Sequence, residues 1–562
     1  MGLTFDFLMA YFDCNLQLGF LYKFMANELL ILKKLAARSI LKKTLTMGIC
    51  RNMGTQPRVQ RRLGGNRATL FVYAMEGLEN MAFVANAVSL VTYFFGYMNF
   101  SLTKSATTLT NFMGTAFLLA LVGGLISDTY LSRFKTCVLF ACMELLGYGI
   151  LTVQARFHQL RPIPCKDLAT TQMSQCEAAT GGHAAILYTG LYLVALGTGG
   201  IKAALPALGA DQFDEKDPKE ATQLSSFFNW FLFSLTIGAI IGVTFIVWIG
   251  VNLGWDWSFI VCTLTILFAI VFICMGNSLF LDRAAIARSS TGARTTSGPW
   301  RLCTVTQVEE TKILVRMLPI ILSTIFMNTC LAQLQTFTIQ QSTTMDTNLG
   351  GFKVPGPSVP VIPLLFMFVL IPLYDRVFVP LARRITGIPT GIRHLQRIGI
   401  GLVLSTVSMA VAGFVETRRK SVAIQHNMVD STEPLPISVF WLGFQYAIFG
   451  AADMFTLIGL LEFFYAESSA GMKSLGTAIS WSSVAFGYFT STVVVEVVNK
   501  VSGGWLASNN LNRDNLNYFY WLLSVLSVVN FGFYLVCASW YRYKTVENEQ
   551  GDSKDNVDMA KV

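Results

Sequence analysis

The feature that most constrains this chain is a series of long apolar stretches that recurs from residue 69 to residue 541. A helix that crosses the hydrocarbon core of a bilayer needs about 20 mostly apolar residues. In hydrocarbon the backbone must satisfy its own hydrogen bonds, and a helix does so within one segment. The pattern predicts an all-α membrane protein with twelve transmembrane helices, at approximately residues 69–95, 106–127, 134–154, 184–206, 224–249, 256–280, 313–336, 359–380, 395–415, 436–460, 474–499 and 517–541.

The composition supports this interpretation and argues against a soluble protein. Of the 562 residues, 53% are hydrophobic and only 13% are charged, whereas about 25% are charged in an average soluble domain. A net charge of +9 would also suit a nucleic-acid-binding protein. The basic residues, however, lie in short segments that flank the apolar stretches, where they orient helices in the bilayer. We therefore expect the lipid bilayer, and no nucleic acid, as a partner.

The basic residues also predict the orientation of the chain. The segment before the first stretch is rich in Lys and Arg, which places it in the cytosol. Twelve spans return the carboxy terminus to the same side. We expect a multi-pass protein of the plasma membrane with both termini in the cytosol. Arg418-Arg419-Lys420 is an exception, because this topology assigns it to an outside loop.

Ionisable residues inside the apolar stretches are the first candidates for function. Lys202 lies near the end of the fourth stretch, Glu76 and Glu79 lie in the first, and Asp453 lies in the tenth. A charge at the centre of a membrane helix costs about 2.5–3.5 kcal/mol on insertion scales, so such residues usually face a cavity or pair with one another. Residues three apart share a helix face, so Glu76 and Glu79 project together. We predict that Lys202 pairs with these acids, although one of them could simply tie the bundle together.

A glycine-rich turn follows the second stretch and contains Asp128 and Arg133. Its glycines allow close helix approach, and the acid and the base can pair across a cytosolic turn. A weaker counterpart, Asp375-Arg376, follows the eighth stretch. Both patches are predicted to act as gates or latches.

The cysteine and histidine content gives no sign of a metal, cofactor or catalytic site. Most of the 11 cysteines lie within apolar stretches, without ligand spacing. Cys165 and Cys176 differ because both fall in a predicted outside loop, where a disulfide and two free thiols are equal alternatives. The glycines before Lys202 are not a phosphate-binding loop, because Ala203 stands where Ser or Thr is needed. We expect no enzymatic activity and no cofactor.

The two turns resemble those of the major facilitator superfamily, and their separation by six spans fits two six-helix halves. Residues 197–214 match more specifically the signature of the proton-coupled oligopeptide transporter family, and residues 227–230, 462–465 and 472–474 look like its plant branch, the nitrate transporter/peptide transporter family. Residues 79–86 are similar to the fourth subfamily of that branch. The resemblance implies the major facilitator fold for residues 69–544. It predicts a cytosolic tail at 1–68, halves at 69–280 and 313–541, a cytosolic linker at 281–312 and a cytosolic tail at 542–562.

The resemblance also implies roles for particular residues. Glu76 and Glu79 match the acids of the family's first-helix motif and Lys202 matches its fourth-helix lysine, which together imply proton coupling. Position 80 is Asn where the motif has a basic residue. Four residues are predicted to bind substrate: Asn80, Leu331, Gln333 and Asp453. Leu331 stands where the nitrate-binding member has His, so an organic acid suits this wall better than nitrate.

The function predicted from these observations is proton-coupled symport by alternating access. The resemblance implies as substrate a small anion or organic acid, such as nitrate or the plant hormones abscisic acid and gibberellin. An uncoupled facilitator of the same substrates and a ligand sensor with little net transport are alternatives, because a neutral Asn80 would be tolerated in both. The oligomeric state stays open.

Overall fold

The structure is a computed structural model that describes residues 65–100, 102–162, 178–213, 218–276, 305–349, 352–353, 360–388, 390–430, 433–469, 471–506 and 510–541. The candidate disulfide partners Cys165 and Cys176, nearly all of the predicted amino-terminal tail and the whole carboxy-terminal tail lie outside these residues.

Twelve helices in the described part of the chain are long and apolar enough to cross a membrane, which confirms the predicted fold class. Three of them contain a break or a wider turn. The helices are α1 (Gly65–Tyr97), α2 (Leu102–Leu118 and Ala120–Thr129), α3 (Arg133–Arg156), α4 (Gly181–Ala210 with Pro206 inside), α5 (Pro218–Ile241, Gly242–Ile246 and Val247–Asn252), α6 (Trp255–Met275), α7 (Val305–Thr343), α8 (Val361–Leu373, Tyr374–Phe378 and Val379–Thr386), α9 (His394–Gln425), α10 (Trp441–Glu467), α11 (Lys473–Ser502) and α12 (Leu516–Trp540).

Most helices extend beyond the apolar stretches that predicted them. An apolar stretch marks only the hydrocarbon core, whereas the backbone hydrogen bonds of a helix continue into the polar headgroup region. Helix α7 therefore begins at Val305, inside the predicted linker.

The assignment of Arg418-Arg419-Lys420 to an outside loop was wrong, because all three residues lie in α9. The side chain of Arg419 is fully buried and pairs with Glu416, with 2.6 Å between Nη2 and Oε1. A charge that is compensated inside the helix bundle carries no information about loop topology, so Arg419 no longer counts as an exception to the basic-residue pattern.

Glycines set the closest helix contacts. A Cβ atom on Gly123 of α2 would lie 2.5 Å from the Cα atom of Gly200 on α4. A Cβ atom on Gly124 would lie 2.9 Å from Cβ of Ala478 on α11. Small residues of this kind let helix backbones approach closely in a membrane. Helix α2 is thereby held against both α4, which carries Lys202, and α11 of the second half.

The two six-helix halves meet along a few helix pairs. Helix α11 packs against α2 and α4, while α5 packs against α8 and α10. Within the halves the main partners are α3 with α4, and α9 with α10 and α12. One end of the bundle carries the turns after α2, α8 and α10, and it is called the latch face below.

Short strands cover the opposite end. Strand β1 (Met345–Asp346) pairs in parallel with β4 (Leu435–Ser438), and β2 (Asn348–Leu349) pairs antiparallel with β3 (Phe352–Lys353). These strands were not predicted, because strands of two to four residues carry too little periodic pattern to detect.

Candidate functional site

The candidate site is built around Lys202, whose side chain is buried between the two halves. Its Nζ atom lies 3.0 Å from Oε2 of Glu79 and 3.6 Å from Oε1 of Glu76. Nζ also donates to Oδ1 of Asn80 at 3.4 Å. Glu76 and Glu79 are fully buried and Lys202 is 1% exposed. The structure therefore brings the three predicted proton-coupling residues into one ionic cluster inside the membrane.

Local helix geometry explains why these groups meet. Glu76 and Glu79 are three residues apart on α1 and share the face that α4 packs against. Asn80 donates through Nδ2 to the carbonyl oxygen of Leu235 on α5, at 2.9 Å, while its Oδ1 faces Lys202. The Asn80 amide thus joins α1, α4 and α5 and adds no charge to the cluster.

A third buried carboxyl, Glu144 of α3, belongs to the same region and was missed by sequence analysis. Its Oε1 atom accepts a hydrogen bond from Oγ1 of Thr198 at 3.2 Å. Thr198 lies on α4, one helical turn before Lys202. Glu144 is the only acid within the third apolar stretch, and the rule that singled out Glu76 applies equally to it.

The oxygens of these acids are incompletely satisfied. Both Oε atoms of Glu76, Oε1 of Glu79 and Oε2 of Glu144 are buried without a hydrogen-bond partner among the described residues. A buried acceptor without a partner costs about 1–3 kcal/mol, and more if it is charged. Protonation of a carboxyl would remove the charge on which the larger part of this cost depends.

Aromatic rings form one wall beside the cluster and cross the boundary between the halves. Phe117 of α2 stacks on Trp481 of α11, with 5.6 Å between the ring centroids and 6° between the planes. Phe117 also stacks on Tyr488, at 6.3 Å. Lys202 Nζ lies 5.2 Å from the Trp481 ring and 5.4 Å from the Phe83 ring, distances that allow cation–π attraction. The ammonium therefore contacts groups from both halves.

The predicted substrate-binding residues of the second half are arranged differently. Gln333 is buried, and its Nε2 atom donates to the backbone oxygen and to Oγ of Ser491 on α11, at 2.9 and 2.7 Å. Leu331 packs against the core of the second half. Asp453 is partly exposed and makes no hydrogen bond or ion pair with a described residue. No hydrogen bond or ion pair among the described residues joins these three side chains to Lys202.

The predicted latch residues Asp128 and Arg133 connect the halves at the latch face. Asp128 accepts hydrogen bonds from the backbone nitrogens of Ser474 and Leu475, at 3.4 and 2.8 Å, where α11 begins. Arg133 Nη2 lies 3.5 Å from Asp128 Oδ1, and its Nε donates to Ser474 Oγ at 2.9 Å. A carboxylate at a helix amino terminus is stabilised by the unpaired N–H groups and by the helix dipole.

Asp211, beyond the end of α4, extends this contact. It accepts a hydrogen bond from Arg133 Nη1, and its Oδ1 atom accepts another from the Tyr465 hydroxyl of α10 at 3.0 Å. The first half is thereby bonded to both α10 and α11.

The weaker counterpart, Asp375, lies in the wide turn within α8 and faces α5. Its carboxylate accepts from Ser226 Oγ, Asn229 Nδ2 and Trp230 Nε1, at 2.9, 2.7 and 3.2 Å. The Arg376 guanidinium lies over the Trp230 ring at 5.4 Å. A second set of polar contacts therefore joins the halves at the latch face.

Two further charged residues of this second contact were not predicted as gate residues. Arg397 of α9 donates to Asn229 Oδ1 at 2.8 Å and pairs with Glu462 of α10 at 3.3 Å. Ser225 of α5 also donates to Glu462, at 3.4 Å. Two features of the sequence could have identified these residues. Glu462 lies in a motif that supported the family resemblance, and Arg397 is a charged residue inside an apolar stretch. No group of three His, Cys, Asp or Glu side chains in the described residues forms a candidate metal site.

Known proteins that are similar to this chain belong to the family that its sequence motifs resemble. The profile of the POT family matches residues 134–289 and 282–511. The chain is 44% identical to "Protein NRT1/ PTR FAMILY 4.5" of Arabidopsis thaliana over 86% of its own length and 94% of the relative's. It is 42% identical to family member 4.6 of the same plant, over 87% and 96%.

Solved structures show the same fold. An auto-inhibited POT family peptide transporter matches with a TM-score of 0.59 at 16% identity, over 86% of this chain and 98% of the other. The POT family transporter PepTSo matches with a TM-score of 0.60 at 16% identity, over 85% and 99%.

Proposed function

This chain belongs to the POT family of membrane transporters, and we propose that it moves a small anion or organic acid together with protons. Its similarity to members 4.5 and 4.6 of the NRT1/PTR family places it with the fourth subfamily. We further propose that it acts at the plasma membrane with both termini in the cytosol, and that its two six-helix halves rock about the buried cluster to give alternating access.

The observation that carries the proposal is the buried ion pair between Lys202 and Glu79, at 3.0 Å. Breaking a buried ion pair by removing one charge costs about 3–5 kcal/mol, because the remaining charge loses its partner. A proton on Glu79 removes the negative charge, and an anion on Lys202 replaces it. The two ligands together keep the site neutral, whereas either one alone leaves a buried charge. Electroneutrality therefore supports coupling of proton and anion.

The surroundings of Lys202 favour an organic acid with a planar or cyclic body. The aromatic wall of Phe117, Trp481 and Tyr488 provides an apolar surface next to the ammonium. The indole Nε1 of Trp481 is buried without a hydrogen-bond partner among the described residues, so it is an available donor. Leu331 adds apolar surface in the second half. Abscisic acid and gibberellins fit this description better than nitrate does.

The latch face supports alternating access. Asp128, Arg133 and Asp375 join the halves at this end, so the described conformation is closed there. Opening requires that these contacts break, which would expose the cluster to the cytosol in the proposed orientation. The contacts are polar and lie at helix ends, so they can re-form in water at modest cost.

The test is uptake of labelled nitrate, abscisic acid, gibberellic acid and a dipeptide into oocytes that express the chain, at acidic and at neutral pH. A symporter accumulates at least one compound faster at acidic pH, with inward current or acidification. Lys202→Ala should abolish uptake or uncouple it from pH. Uptake that is independent of pH would identify a facilitator, no uptake of any compound would favour a sensor, and either result would overturn the proposal.

A further inference from the structure

Glu144 is a buried carboxyl that the proposed Lys202–Glu79 mechanism does not use. Its side chain is fully buried between α3 and α4, and Gly197 leaves the space that it occupies, since a Cβ atom on that glycine would meet the glutamate backbone and side chain. Thr198 donates to one carboxyl oxygen, Oε1, at 3.2 Å. The other oxygen, Oε2, has no hydrogen-bond partner among the described residues.

The charged groups that face Glu144 come from α1 and α4. Glu76 and Glu79 act on it from α1 and Lys202 acts on it from α4. Two further titratable groups adjoin it, the Tyr148 hydroxyl on its own helix and the Cys262 thiol on α6. Both are neutral at physiological pH in an apolar setting. The ammonium of Lys202 is thus the one cation that the described residues offer to three carboxyls.

Asn80 does not reduce this excess of acidic over basic groups. It stands directly beside Lys202, at 3.4 Å, and carries no charge. If Glu76, Glu79 and Glu144 were all ionised, the buried cluster would hold two uncompensated negative charges. An isolated carboxylate in an apolar interior costs many kcal/mol, and such groups take up a proton instead. In the closed conformation the cluster is therefore neutral only when two of its three carboxyls are protonated.

We propose that Glu144 is a proton-binding residue of the buried cluster, which carries a proton whenever the site is closed and exchanges it with water whenever the site opens. The inference rests on the proposed symport function and assigns one of the protons that keep the closed cluster neutral. When the site is closed, Glu144 carries a proton on the unpaired Oε2 atom. When water reaches the cluster from one side, the carboxylate is hydrated and the proton passes to that water. The proton returns to Glu144 before the site closes again, and no bond other than O–H changes.

The most direct test uses the proton itself as the probe. Infrared spectra of the purified full chain in nanodiscs, recorded during a pH titration, report the carbonyl stretch of protonated carboxylic acids. Glu144→Gln should remove the signal of one protonated carboxyl per chain. Thr198→Val keeps the carboxyl and removes only the hydrogen-bond donor, so it should retain the full signal. An unchanged signal in Glu144→Gln would overturn the inference.

Glu416→Gln is the matched control for this substitution. Glu416 is equally buried but is paired with the Arg419 guanidinium, which donates to both of its oxygens at 2.6 and 2.7 Å. Replacing it should therefore leave the protonated-carboxyl signal at the wild-type amplitude. A loss of equal size in this variant would show that the signal reports general disturbance, and the inference would fall.

A second measurement gives the stoichiometry in proteoliposomes whose membrane voltage is held at zero. Two coupled protons support about hundredfold accumulation of the transported compound per pH unit, and one supports about tenfold. We expect about tenfold for the wild type, because Glu144 keeps its proton both when the closed site is loaded and when it is empty. About hundredfold would show that a second carboxyl loses its proton in each cycle, which would overturn the inference while leaving symport intact. No accumulation by the wild type would instead refute the proposed function, and the infrared result would still decide whether Glu144 binds a proton.

Discussion

At the scale of single residues, two adjacent arginines of α9 lie in opposite environments. Arg418 is exposed on α9, whereas Arg419 is fully buried. Arg419 bonds Glu416 through two nitrogens and reaches Asn512 and the Leu511 carbonyl oxygen before α12. Glu416 in turn accepts from Gln341 of α7 at 2.6 Å. This buried network ties together three helices of the second half at the end opposite the latch face.

We predict that Arg419→Ala destabilises the protein by about 3–5 kcal/mol, because it leaves the Glu416 carboxylate buried and uncompensated. Arg418→Ala removes the same side chain from an exposed position and should change stability by no more than about 0.5 kcal/mol. Thermal unfolding of the detergent-purified variants measures the difference. Equal melting temperatures for the two variants would contradict this account of Arg419.

At the scale of helices, the position of Lys202 depends on how closely α2 and α4 approach. Gly200 precedes Lys202 by two residues and lies against Gly123 of α2. The contact leaves no room for a Cβ atom on Gly123, since that atom would lie 2.5 Å from the backbone of Gly200. A larger residue must therefore push α4 away and displace the ammonium relative to α1.

The matching prediction is that Gly123→Ala destabilises the protein by about 1–3 kcal/mol, the usual cost of overpacking, and slows transport. Gly149 of α3 is a helix glycine at which an added Cβ atom would have no neighbour within 4 Å. Gly149→Ala should therefore be neutral or stabilise by up to about 1 kcal/mol, because alanine is the better helix former. Melting temperature and initial uptake rate test both variants. A wild-type melting temperature and uptake rate in Gly123→Ala would show that α2 and α4 can separate without cost.

The sequence alone was enough to predict the helices and the partners of Lys202, for a physical reason. Hydrocarbon penalises both unpaired backbone and unpaired charge, so twelve apolar stretches and a lysine among acids leave few alternatives. The sequence does not report the rotation of each helix about its axis. The bond from Asp128 to the start of α11 and that from Asn229 to Asp375 therefore became visible only in three dimensions. The hydrogen bond from Gln333 to α11 became visible only there for the same reason, and its role in substrate binding stays a prediction.

At the scale of the whole molecule, two groups of polar contacts join the two halves at the latch face. One joins Asp128 and Arg133 to α11, and the other joins Asp375 to α5. Hydrogen bonds to charged groups contribute about 1.5–3 kcal/mol each. Removing one such charge should therefore change the free-energy difference between the closed and open states by a similar amount.

We predict that Asp128→Asn increases the population that is open at the latch face by about tenfold or more, which corresponds to about 1.4 kcal/mol. Spin labels at the exposed positions Lys135 and Arg393 would report it as a longer distance component. Asp430→Asn is the control, since Asp430 lies at the opposite end and is exposed, and hydrogen bonds from Arg513 lower its pKa. An identical distance distribution in wild type and Asp128→Asn would contradict the latch assignment.

The central claim is that a proton on Glu79 and an anion on Lys202 enter the buried site together. The most direct measurement follows the pH inside proteoliposomes when the transported compound is added outside, for wild type and for Glu79→Gln. The account predicts that the wild type acidifies the lumen, whereas Glu79→Gln exchanges labelled for unlabelled compound without moving protons. Lumen acidification by Glu79→Gln at the wild-type rate would contradict it.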